Sequence, residues 1–146
     1  MALQTKKIYH GTTTTLHTKA STAVVANNAM SAESAELNSG NHGDNPMGEF
    51  ELDVTFSVAP AADKSIDVYI RDQEIAGTNK SPAPSTTFKR RYLGSFYPDA
   101  VTTQQYLKLD APIPKEATFY LFNNATGQSM PATDWGLKVR PFGWGS

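Results

Sequence analysis

Gly48-Glu49-Phe50-Glu51-Leu52-Asp53-Val54-Thr55-Phe56-Ser57-Val58 alternates without a break. Phe50, Leu52, Val54, Phe56 and Val58 fall on one side of an extended chain, and Glu49, Glu51, Asp53, Thr55 and Ser57 on the other. A period of two with one apolar and one polar side is the pattern of a half-buried strand in an antiparallel sheet. A turn cluster follows at Ala59-Pro60-Ala61-Ala62-Asp63-Lys64, and Ile66, Val68 and Ile70 then alternate with Asp67, Tyr69 and Arg71. The two runs read as the arms of one hairpin.

Working outward, the same period recurs. Strand character runs from Phe88 to about Tyr97, from Gln104 to Leu109 and from Ala117 to Phe122. Between Asp134 and Arg140, Trp135, Leu137 and Val139 point inward, and Lys138 and Arg140 outward. Ala111-Pro112-Ile113-Pro114 reads as a break, and Asn123 to Gly127 as a turn. Residues 38–46 and 73–87 are loops. The N-terminal third is plainer: Lys7 to Leu16, rich in Thr, holds a strand, and Ala29 to Leu37 is strand or irregular, because its Ala and Glu bring no apolar stripe for a helix to bury. Seven or eight strands without a crossover helix predict an all-β protein: one antiparallel β-sandwich over residues 1–146, in jelly-roll order.

Composition excludes several classes. The chain has no cysteine, so disulfides, thiol catalysis and cysteine-ligated metals are ruled out. A net charge of −1 gives no basic excess for nucleic acid. Lys89-Arg90-Arg91, the one basic cluster, falls in a predicted strand that sends successive side chains to opposite faces. The opening after Met1 is not an apolar run, so neither a signal peptide nor a membrane span is expected there.

No catalytic constellation is legible. His10, His17 and His42 lack a neighbouring nucleophile motif, and His10 and His17, in the N-terminal strand region, read as surface or edge residues. Asn41, His42, Asp44 and Asn45 offer oxygen and nitrogen donors, but without the spacing of a calcium loop they read as turn residues. Glu49, Glu51 and Asp53 read as a solvated strand face that cations on neighbouring strands would neutralise. The expectation is a protein that is not an enzyme and needs no cofactor or metal.

The ends of the chain carry more signal. Residues 1–6 read as an extended arm containing Leu3, and 141–146 as a tail without periodicity, carrying Phe142 and Trp144 among glycines. Leu3, Phe142 and Trp144 are the candidate protein contacts. Phe142 reads equally well as packing on its own domain edge.

The runs Y-L-G-S-F-Y-P-D, T-F-Y-L-F-N-N-A-T-G and D-W-G-L-K-V-R-P-F resemble small virion proteins of tailed bacteriophages. Within that group the chain is similar to the jelly-roll head decoration, or cement, proteins. K-K-I-Y-H-G-T-T-T-T-L, F-E-L-D-V-T-F-S-V and S-I-D-V-Y-I fit the same pattern. The resemblance implies a structural protein made in the host cytoplasm. It would bind the major capsid protein on the capsid surface, bridge capsid subunits and stabilise the particle, with further copies of itself, a trimer for instance, as partners. The competing expectation is a carbohydrate- or receptor-binding module of a tail or fibre, with Tyr69, Tyr92, Tyr97 and Trp144 stacking on sugars.

Overall fold

A computed structural model describes residues 6–9, 11–38, 45–75 and 77–145. Among them lie eight strands: β1 (Lys6–Ile8), β2 (Thr14–His17), β3 (Met47–Val54), β4 (Ser65–Asp72), β5 (Arg91–Phe96), β6 (Gln105–Pro112), β7 (Ala117–Asn124) and β8 (Trp135–Gly145). One 3-10 turn, Lys19–Ser21, is the only helical element among the described residues. The expectation of an all-β antiparallel sandwich holds.

The larger sheet runs β1-β8-β3-β6, with β2 also on β8; the smaller runs β5-β4-β7. Every pairing between strands is antiparallel. Phe50, Leu52 and Val54 of β3, Ile66, Val68 and Ile70 of β4, and Trp135, Leu137 and Val139 of β8 are all at most 2% exposed and belong to one cluster. Each such side chain contributes about 1.5–3 kcal/mol on burial, so this cluster holds the two sheets face to face. Phe50 meets Phe119 of β7 edge-on across it, with ring centroids 5.2 Å apart.

The predicted hairpin between the 48–58 and 65–71 runs is corrected. β3 pairs with β6 and β8, whereas β4 pairs with β5 and β7, so the two strands belong to opposite sheets. Residues 55–64 carry the chain from one sheet to the other along a largely exposed path. Phe56 stays buried during the crossing, and the Thr55 and Ala61 amides donate to the Asp134 and Thr126 carbonyls. Alternation reports that a strand has one buried side. It does not report whether the next strand lies beside it or opposite it, and both arrangements bury the same residues. Val58, read as inward, is beyond the strand and exposed.

Two further boundaries move. β5 begins at Arg91 rather than Phe88, because Arg90 sits at φ 67°, outside strand geometry. β6 continues to Pro112, a position open to proline because β6 is an edge strand.

Ala29 to Leu37 is irregular and has a structural role invisible to periods of 2 or 3.6. Ser31, Ser34 and Leu37 are buried at three-residue intervals. The Ser31 amide donates to the Leu121 carbonyl (2.7 Å), and the Leu121 amide donates back to Ser31 Oγ (2.9 Å). Ser34 exchanges the same two bonds with Phe119. Leu37 forms an ordinary bridge to Ala117, and Met30 one to Phe122. The serine hydroxyls thus replace strand carbonyls and close the outer edge of β7, leaving its buried amides paired.

Candidate docking surface

The side of β3 that faces away from the core carries Glu49, Glu51 and Asp53. The structure sets cations against all three. Glu49 accepts from Lys7 (2.8 Å) on β1 and Arg140 (2.9 Å) on β8. Glu51 pairs with Lys108 on β6, and its register partner on β8 is Lys138. Asp53 pairs with Lys19 (3.2 Å) and accepts from Gln104 Nε2 (2.9 Å). Lys7 also reaches Asp110 on β6 (2.7 Å). The acidic stripe is therefore the central row of an alternating charge lattice across the larger sheet.

Glu49 is the best-held member. Burial alone would raise its pKa. The Lys7 and Arg140 hydrogen bonds, the Lys7 charge and the Tyr9 hydroxyl outweigh that and pull it down to about 2. Arg140 also lies over the Tyr9 ring, 3.7 Å from its centroid. Lys7, Tyr9, Tyr106 and Lys108 were not singled out from sequence. For β6 the signal was present as the outward alternation Tyr106, Lys108, Asp110.

The C-terminal segment does not leave the sheet. Its residues continue β8 to Gly145, with Ile8, Lys7 and Lys6 paired to Gly143, Trp144 and Gly145. Phe142 shares the outer side of β8 with Lys138 and Arg140 yet is fully buried. Tyr9 (5.9 Å) and Trp144 (5.2 Å) pack on its ring, and Lys7 Nζ lies 4.9 Å from its centroid. It is thus consumed within its own chain. Trp144 is 41% exposed. Leu3 lies outside the described residues, as does most of the proposed N-terminal arm; Lys6 belongs to β1.

His17 is partly buried rather than a plain surface residue. Its ring packs on Trp135 at 4.8 Å, and Nε2 is buried without a hydrogen-bond partner among the described residues. Burial lowers its pKa to about 4, against a smaller opposing effect of a hydrogen bond to the Phe119 backbone. Beside it, Lys19, Asp53, Tyr106 and Lys138 line an open concavity of about 480 Å³. His10, Asn41, His42 and Asp44 lie outside the described residues, and Asn45 is buried. Among the described residues, no group of three or more His, Asp or Glu could hold a metal.

The remaining candidates are dispersed. Lys89 sits over the Phe122 ring (4.2 Å), Arg90 over Phe88 (5.5 Å), and Arg91 pairs with Asp72 (2.6 Å), so the three cations form no common stripe. Tyr69 is buried and meets Tyr92 at 60°, so that pair is not coplanar, whereas Tyr92, Tyr97 and Trp144 are exposed. No helix among the described residues is long and apolar enough to cross a membrane. No family model, curated protein or solved structure matches the chain.

Proposed function

We propose that this chain is a structural virion protein that docks on the outer surface of an assembled capsid and bridges neighbouring capsid subunits, without catalysing a reaction. The observation that carries this reading is the charge-compensated outer face of the larger sheet. A rigid face of alternating and nearly balanced sign suits exchange of ion pairs with a protein surface and creates little long-range repulsion between crowded copies. Capsid symmetry repeats each contact, so a modest interface becomes avid. The sequence resemblance and the strand pairing support the same reading. On this reading, β1 with β8, residues 28–37 with β7, β3 with β6 and β4 with β5 are the pairs of one double ribbon folded over itself, in the jelly-roll order that the resemblance implies. Docking falls on the sheet face, not on a free C-terminal arm.

Purified protein mixed with undecorated capsids of the virus that encodes it is expected to co-sediment with them and raise their melting temperature. Lys138→Glu with Lys19→Glu, which turns the lattice acidic, is expected to abolish both effects. An unchanged melting curve with the wild-type protein overturns the proposal.

One observation favours a carbohydrate-binding role instead. Tyr106 is 59% exposed beside the concavity that holds the Asp53 carboxylate, and a ring next to a carboxylate can stack on and hydrogen-bond to a sugar. Glycan-array binding that is lost in Tyr106→Ala would establish that role; an array without hits removes it.

A further inference from the structure

We infer that β6 is a self-complementary edge through which two copies of this chain pair antiparallel, joining their larger sheets into one. Among the described residues, β6 is paired as a strand on one side only, to β3. The Ile113 amide donates to the Pro46 carbonyl, and the β3–β6 register continues that pairing through Ala111/Gly48, Leu109/Phe50 and Leu107/Leu52. Antiparallel strands alternate the direction of their backbone groups. The amides and carbonyls of Tyr106, Lys108 and Asp110 therefore point away from β3, into the open edge.

A two-fold axis through Leu109 brings every part of this edge against a matching part. It sets Lys108 of one copy opposite Asp110 of the other, twice, with each pair exchanging two backbone hydrogen bonds. Tyr106 then donates to the Pro112 carbonyl of the other copy, and the absent proline N–H ends the ladder there. Centring the axis on Lys108 instead would oppose two lysines across a hydrogen-bonded pair, which like charges disfavour. Lone charges on an edge strand ordinarily discourage pairing; here their spacing selects one register.

The apolar side agrees. Leu107, Leu109 and Leu93 of β5 pack on the core yet remain half-exposed along the open side of the sandwich. Leu109 closes over Gly94, where a Cβ would come within 2.9 Å of its methyls. In the paired register Leu109 meets Leu109 of the second copy and Leu107 meets Ala111, covering that seam. A two-fold interface of this kind is isologous and closed, so it makes dimers and not fibres. The inference does not depend on the capsid reading, since it concerns the purified protein alone.

Analytical ultracentrifugation at up to roughly 100 μM, enough to detect weak association, is expected to show a dimer. Lys108→Glu and Asp110→Lys should each give a folded monomer, and the exchange Lys108→Asp with Asp110→Lys should restore the dimer. In this cysteine-free chain Leu109→Cys supplies an independent reading. Opposed non-hydrogen-bonded residues have Cα atoms about 4.5 Å apart, within disulfide reach, so the oxidised variant should run as a covalent dimer and Tyr106→Cys should not. A monomeric wild type, a trimer, a dimer indifferent to both single charge changes, or failure of the exchange to restore association overturns the inference.

Discussion

At neutral pH the His17 imidazole carries no charge. Its folded pKa of about 4 lies below the ordinary 6.5, so between those values the unfolded chain binds a proton that the native state refuses. Stability must therefore fall as pH drops from about 6.5 towards 4. The loss is on the order of 2 kcal/mol once water contact with the ring is allowed for. His17→Phe keeps a ring on Trp135 without a titrating group. Urea unfolding at pH 7 and pH 4 should show the wild type losing about that much more than the variant. Glu49 acts in the next window. Its pKa is held near 2 instead of 4.5, so its contribution is present above 4.5 and disappears as pH falls towards 2. Neither group looked special in sequence. A histidine after a Thr run says nothing of the tryptophan that will cover it, and a glutamate in an acidic stripe says nothing of which cations the register will deliver.

At the scale of elements, the segment from Ser31 to Leu37 shows how an edge can be closed without a strand. Ser31 Oγ and Ser34 Oγ are the acceptors for the buried Leu121 and Phe119 amides. Removing either hydroxyl leaves an amide unsatisfied in the interior, at a cost of about 1–3 kcal/mol. Ser34→Ala should lower the unfolding free energy by that amount and speed hydrogen exchange at the Phe119 amide specifically; Ser31→Ala should do the same at Leu121. An unchanged exchange rate would mean that water or another group serves the amide. The segment's signature, S-A-E-S-A-E-L, repeats every three residues and is readable once that period is sought. β8 is the contrasting case. Pro141 and the glycines around Trp144 hid the continuation of a strand whose first half alternates cleanly, because its later residues are held by pairing with β1 rather than by their own pattern.

For the whole molecule, β1 and the last residues of β8 pair within one sheet. Deleting residues 143–146 would remove the partners of β1 and the ring that covers Phe142. The expected result is a loss on the order of 3 kcal/mol, as for deletion of a large aromatic contact, together with increased binding of a hydrophobic dye at the uncovered Phe142. A dispensable arm would give neither effect. The proposed docking surface accordingly lies on the sheet face, where strands distant in sequence bring Lys7, Lys19, Lys108 and Arg140 to the acidic row of β3.

The all-β class, the inward rows of β3, β4 and β8, and the expectation that Glu49, Glu51 and Asp53 would be neutralised were legible in the sequence alone. Each follows from side-chain period and charge, which are local properties of a strand. Only the tertiary structure decided that β3 and β4 face each other instead of pairing, that 28–37 closes β7, that Phe142 is internal and that β6 has an edge unpaired among the described residues. Those outcomes depend on which strands become neighbours. Neighbour choice is settled by burial and hydrogen bonding across the whole sandwich, and alternation along a single strand is the same whichever neighbour is chosen.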